Sequence, residues 1–214
     1  MKTTEVNVKI DLARLTEQGY VIIPNVSLQE VNLFTSVLGD VLLETEVSEK
    51  IISARLLASS KAMALHTDHY QADYIAWYCI QQSNQGGETL LVDTWKMMDF
   101  LFSENQLNAL KGIRVLSHKV FPRDNLHYPM LSENRKGELK VFYSPWMVSD
   151  ASTIEGKLAL TQWKEIIEKI QPYKIFLKPQ DVLIIDNGRM LHGRTAFPKN
   201  SGRSLKRFWI KGII

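Results

Sequence analysis

From residue 74 onward the apolar residues fall in short β-rich runs broken by turn residues, and this pattern restricts the fold more than any other feature. The runs at 74–80, 89–93, 182–186 and 205–210 are rich in β-branched and aromatic side chains and are bounded by Gly, Asn, Asp or Pro. Segments 20–23, 115–121, 139–143 and 174–178 read as further strands, and 51–57 as another candidate. Helical signals are fewer. Asp11 caps a short helix that Gly19 stops. Ser27-Leu28-Gln29-Glu30 is a capping box opening a helix to about Leu43, with Val31, Phe34, Leu38, Val41 and Leu42 as its packing face. Ser103-Glu104-Asn105-Gln106 is a second box, ended by Gly112. A third helix within 152–170 carries the stripe Leu160, Trp163, Ile166, Ile167 and Ile170 before Pro172. The stretch 122–137 has loop character and the length of a lid. Many short strands with a few flanking helices, and no repeat or linker, predict one domain over 1–214: an antiparallel sandwich or barrel, with a jelly roll as the natural candidate.

Composition narrows the function. Hydrophobic residues are 45% and charged residues 23%, as in ordinary globular domains. The net charge of +3 comes from dispersed basic residues, which argues against a nucleic-acid surface. The single cysteine, Cys79, allows no internal disulfide, fits a reducing compartment and sits in an apolar run as a packed thiol. No window approaches the ~18 apolar residues of a membrane span. Met1-Lys2-Thr3-Thr4-Glu5 lacks a signal-peptide core, so a cytoplasmic location is expected.

The chemistry centres on Leu65-His66-Thr67-Asp68. In a strand, residues i and i+2 share a face, so His66 and Asp68 point the same way while Thr67 and His69 point away. With 5 histidines and 23 acidic residues, a chance His-x-Asp/Glu is expected in about half of such chains, so the pair alone proves little. Its companions carry the case. Met190-Leu191-His192 supplies a second imidazole from another strand. Gly86-Gly87-Glu88-Thr89 sets a hydroxyl at a strand start. Arg203 opens the last strand, with Arg207 four residues on. Two imidazoles and one carboxylate on one face of an octahedron leave three positions open, which suits non-haem Fe(II) oxygenases; a structural zinc would close its shell with four ligands. A 2-oxo acid would take two open positions and leave one for O2. Its distal carboxylate would need a buried cation, and an arginine fork, helped by a threonine hydroxyl, fits that need.

His66-x-Asp68, Gly86-Gly87-Glu88-Thr89, Asp186-Asn187 through His192-Gly193-Arg194, and Arg203 with Arg207 together resemble the motifs of the Fe(II)/2-oxoglutarate-dependent oxygenases, in the taurine dioxygenase and clavaminate synthase-like branch. The resemblance runs from about Leu65 to the C-terminus and more loosely includes residues 19–23. It implies a mainly β fold with flanking helices around a double-stranded β-helix, a jelly-roll, cupin-like core. It implies that His66, Asp68 and His192 bind iron, and that Thr89 and Arg203 hold the distal carboxylate of 2-oxoglutarate. The position matching Arg207 helps with anionic groups near iron, which implies contact with the C1 carboxylate of the cosubstrate or with the substrate. Relatives that halogenate have Gly or Ala at the acidic position. Asp68 therefore implies hydroxylation. The chain is shorter than most members of the branch, so insertions over the site are expected to be trimmed.

The expected activity is hydroxylation of an unactivated C–H in a small molecule (amino-acid-like, a small carboxylate or a natural-product intermediate), using Fe(II), O2 and 2-oxoglutarate and releasing succinate and CO2. Tyr70, Trp77, Arg123, Tyr143 and Trp146 are the candidate substrate-facing residues. Asp186 and Asn187 read as turn residues. Three alternatives stay open: desaturation or cyclisation by the same iron chemistry; a cupin-type metalloenzyme without 2-oxoglutarate, which would not explain Thr89 with Arg203; and a non-catalytic binding jelly roll. Neither nucleic acid nor membrane is expected as a partner, and the oligomeric state is not encoded in these motifs.

Overall fold

A computed structural model describes residues 10–48, 59–117, 119–134 and 136–213. Among the described residues, five helices and thirteen strands follow in the order α1 (Leu12–Gln18), β1 (Tyr20–Ile23), α2 (Leu28–Leu38), β2 (Gly39–Ser48), β3 (Met63–His66), β4 (Tyr74–Gln81), β5 (Thr89–Asp93), α3 (Thr94–Leu101), α4 (Glu104–Lys111), β6 (Arg114–Leu116), β7 (His127–Pro129), β8 (Leu131–Glu133), β9 (Leu139–Val141), α5 (Ile154–Lys169), β10 (Tyr173–Ile175), β11 (Val182–Asp186), β12 (Met190–Arg194) and β13 (Ser204–Gly212). Two antiparallel sheets dominate: β1-β11-β4-β13-β2 and β10-β5-β12-β3. Two-stranded ribbons β6-β7 and β8-β9 flank them. The fold is mainly β with several helices, as expected. No helix among the described residues is long and apolar enough to cross a membrane.

Strand alternation divides the core. In β4, Ala76 and Tyr78 face α1 and α2, where they meet Leu15, Val31, Phe34 and Leu38. Ile75, Trp77 and Cys79 face the other way and pack between the sheets with Leu183, Ile185, Leu91 and Met190. On the second sheet, Leu65, Val92 and Leu191 turn outward to a third cluster built on Leu160 and Trp163 of α5. Leu110 and Ile113 close that cluster from the other side. Trp163 is fully buried at its centre. Trp163→Ala should destabilise the protein by about 3–5 kcal/mol, read as a lower denaturant midpoint at unchanged slope.

Helix capping follows the sequence closely. Asp11, Ser27 and Ser103 each accept a backbone N–H at their helix starts, and the last two form complete capping boxes. Gly19 closes α1 in the left-handed conformation. The helix opened by Ser27 departs from expectation: it stops at Leu38 rather than near Leu43. Gly39 adopts φ 155°, and a Cβ there would lie 1.9 Å from the carbonyl oxygen of Lys211. The chain therefore leaves the helix to pair with β13, and Val41 and Leu42 become strand residues. The 122–137 segment is not one loop, since it contains β7 and β8. The strand expected over 115–121 is the three-residue β6, and α3, capped by Asp93 at the end of β5, follows that strand directly. The candidate strand 51–57 lies outside the described residues.

Candidate metal and anion site

The inner faces of the two sheets meet in a cavity with both apolar and charged walls. It is lined by Val47, Met63, His66, Trp77, Thr89, His192, Gly193, Arg194, Arg203, Leu205 and Arg207. Register explains the grouping. His192 lies opposite His66 on β3 and opposite Leu91 on β5, and Arg194 lies opposite Thr89. Because side chains of paired residues project together, both imidazoles emerge on the inner face, with ring centroids 4.4 Å apart. Arg207, opposite Trp77 on β4, brings a guanidinium from the facing sheet.

Asp68 completes the cluster by another route. Strand β3 ends at His66, so alternation does not aim Asp68. Instead the chain beyond His66 is latched at two distant points. The Thr67 amide donates to the Tyr143 carbonyl at 2.8 Å, and its hydroxyl accepts from the Tyr143 amide at 3.0 Å. The Asp68 amide donates to Oδ1 of Asn187 at 2.9 Å. Asn187 in turn donates through Nδ2 to the carbonyls of His69 and Ala72. Asn187 thus does more than shape a turn. Asp186 does shape it, accepting from the amides of Gly188 and Arg189.

The donor set fits a divalent metal. One ligand atom each from His66, Asp68 and His192 lies within 4.8 Å of the others, and all three residues are buried. Nε2 of each imidazole is 3.8 Å from the same atom, Oδ1 of Asp68. Nδ1 of His66 donates to the Ala64 carbonyl at 2.8 Å, which leaves Nε2 unprotonated and facing the cluster. Burial holds both imidazoles neutral: it lowers the pKa of His66 and, with His66 beside it, brings His192 down to about 3. Burial alone would raise the Asp68 carboxyl. The Arg207 guanidinium, the two imidazoles and a bond from the Trp209 indole outweigh that effect and hold it at about 2. Two neutral nitrogens and a carboxylate, already deprotonated, are what a metal ligand set needs.

The other end of the cavity suits an anion. Arg203 lies just before β13, almost fully buried, with Nε donating to Oε1 of Gln82 at 3.0 Å and to the Gly87 carbonyl at 3.2 Å. Gly87, at φ +77°, has no side chain to obstruct it: a Cβ there would lie 2.9 Å from Cδ and Nε of Arg203. The guanidinium also rests on the Phe197 ring, whose other neighbour is the Arg194 guanidinium. Burial and the nearby Arg194 lower the Arg203 pKa to about 10, so it stays charged at neutral pH. Thr89 opens β5 in the same cavity wall.

The remaining sequence candidates are spread out. Trp77 meets the His192 ring edge-on at 4.9 Å, and Trp146, 50% exposed, meets His66 at 5.4 Å. Tyr70 stacks on Tyr128 and lines a different cavity with Asp73 and Lys140. Tyr143 is buried in the core against Trp163, and Arg123 is an exposed turn residue. His69 faces away from the cluster and pairs with Asp124. Arg207 donates to both oxygens of Asp68, at 2.9 and 3.2 Å. Sequence reasoning missed Trp209, whose indole N–H donates to Oδ2 of Asp68 at 2.8 Å, although its i+2 spacing from Arg207 places both on one strand face. It also missed Arg194, two residues beyond His192 on the same face.

The comparisons agree with this geometry. No curated protein sequence matches the chain. Among solved structures, asparagine oxygenase in complex with Fe(II), 2S,3S-3-hydroxyasparagine and succinate superposes with a TM-score of 0.74 at 17% identity, covering 94% of this chain and 78% of that one. The non-heme iron oxygenase OrfP in complex with Fe and alpha-ketoglutaric acid gives a TM-score of 0.73 at 17% identity, covering 94% and 79%. OrfP with Fe, succinate and (3S)-hydroxy-L-Arg gives 0.71 at 17%, covering 94% and 78%. At this identity the likeness is one of fold. The sequence profile that matches residues 9–209 is more specific, and by it the chain belongs to the taurine catabolism dioxygenase TauD, TfdA family.

Proposed function

We propose that the protein is an Fe(II)- and 2-oxoglutarate-dependent dioxygenase that hydroxylates a C–H of a small amino-acid-like molecule, with release of succinate and CO2. One observation carries this reading: both histidines of a two-histidine, one-carboxylate cluster line the same cavity as the buried Arg203 and Thr89. The reading takes the sandwich as a double-stranded β-helix, with His66, Asp68 and His192 as the iron ligands. Iron and the keto acid, when bound, supply oxidising chemistry that no side chain can. The protein's own groups position and shield. Arg203 and the Thr89 hydroxyl hold the distal carboxylate of the keto acid through charge-assisted hydrogen bonds. Val47, Met63, Trp77 and Leu205 keep the cavity apolar around it, which strengthens those bonds. Arg207 fixes Asp68, and Trp146 stands at the edge of His66, where a substrate would approach.

The amino-acid-like substrate class is supported by the neighbours in fold, whose bound molecules are hydroxylated asparagine and arginine. The test has two stages. Anaerobic addition of Fe(II) and 2-oxoglutarate should produce the weak visible charge-transfer band of a chelated keto acid; a metalloenzyme that does not use 2-oxoglutarate would give none. An amino-acid screen read by succinate release should then yield a product heavier by one oxygen. A product lighter by two hydrogens would identify desaturation or cyclisation instead.

A further inference from the structure

We propose that Trp209 is a positioning residue that makes Asp68 a one-oxygen ligand. This rests on the reading of His66, Asp68 and His192 as a metal site. The two oxygens of Asp68 have different surroundings. Oδ1 faces Nε2 of both His66 and His192, at 3.8 Å from each. Oδ2 receives the Trp209 indole N–H at 2.8 Å and Nη1 of Arg207 at 2.9 Å; the same Nη1 reaches Oδ1 only at the longer 3.2 Å, so the indole is the donor that singles out Oδ2. Trp209 and Arg207 are two residues apart on β13, so strand alternation presents both to the same carboxylate, and the guanidinium carbon lies 4.9 Å from the indole centroid. Two donors on Oδ2 engage the lone pairs that chelation through both oxygens would need.

The indole is itself held from behind. His69 stacks on it at 5.4 Å with planes 24° apart. Nε2 of His69 is 3.1 Å from Oδ2 of Asp124, a buried carboxylate whose Oδ2 also accepts the amides of Val120 and Phe121 and whose Oδ1 accepts from Nε2 of Gln71 at 2.6 Å. Phe121 meets the other side of His69 edge-on at 5.1 Å. The segment around 120–124 is thereby tied through His69 and Trp209 to the orientation of Asp68.

The consequence concerns coordination count. A carboxylate using one oxygen, with two imidazoles, fills three positions of an octahedron. A carboxylate free to turn can use both oxygens and fill a fourth, at the expense of a position a chelating keto acid requires. Trp209→Phe keeps an aromatic ring against His69 and removes the N–H. Incorporation of benzothienylalanine at 209, with the outline of tryptophan and no N–H, serves as the second variant should the smaller ring disturb packing.

The probes are Co(II) alone, read by its d–d spectrum and by titration, and then anaerobic Fe(II) with 2-oxoglutarate. Both variants should bind Co(II) with a changed d–d intensity and an affinity altered by about 10-fold. In both, the 2-oxoglutarate concentration needed for half of the charge-transfer band should rise by about 10-fold. A merely structural role would leave the spectra of the folded, loaded variants unchanged. Identical Co(II) spectra and identical titrations in wild type and variants would overturn the inference while leaving the metal site standing. Failure of the wild type itself to bind Co(II) would overturn the metal reading, and this inference with it.

Discussion

His66→Ala should reduce 2-oxoglutarate-dependent succinate formation to background while the protein stays folded. The reason lies in the geometry: His66 supplies one of three donors that converge from separate parts of the chain, and its Nε2 is directed inward by the bond from Nδ1 to the Ala64 carbonyl. Removing it leaves two donors, too few to hold the metal against water. The fold should survive because the ring lies at the edge of the cavity, and the Leu65 and Leu191 packing behind the sheet is untouched. The measurement is succinate release beside circular dichroism and thermal unfolding. Normal turnover by the folded variant would show that the ligand assignment is wrong.

Arg203→Ala should raise the KM for 2-oxoglutarate by about 100-fold or more, with a much smaller effect on kcat at saturation. Truncating one partner of a buried, hydrogen-bonded charge pair costs about 2–5 kcal/mol, and each 1.4 kcal/mol is about a factor of ten. The guanidinium is the stronger of the two anchors, because Gly87, Gln82 and Phe197 fix its plane before any ligand arrives. Arg203→Lys should recover only part of the loss, since an ammonium keeps the charge and forfeits the planar fork. An unchanged KM in Arg203→Ala would move the anchor elsewhere, with Arg194 and Arg207 as the remaining cavity guanidiniums.

Much of the fold could be read where local chemistry punctuates the chain. The α1 limits are set by Asp11 and Gly19, and the β11 limits by an apolar run ending at Asp186-Asn187-Gly188. Reading failed where a distant partner overrode the local pattern. The spacing of Val31, Phe34, Leu38, Val41 and Leu42 continues a helix, but Gly39 meets the backbone of Lys211, some 170 residues away. Pairing with β13 then makes a strand of residues that favour helical spacing. Similarly, 122–137 looks like a loop because β7 and β8 are three residues each and take their pairing from neighbours rather than from a periodic pattern.

The site divides along the same line. The kinds of donor, their order, and the company of imidazoles, a carboxylate and an arginine are legible in the residues alone. Residue chemistry is local and survives without coordinates. The aim of each side chain comes from the folded arrangement. His66 and His192 meet through register, Asp68 is turned inward by Thr67 on Tyr143 and by Asn187, and its second oxygen is taken by Trp209 and Arg207. Those contacts join residues 76 to 141 positions apart. Their geometry follows from sheet packing and burial, which no spacing within a motif can encode.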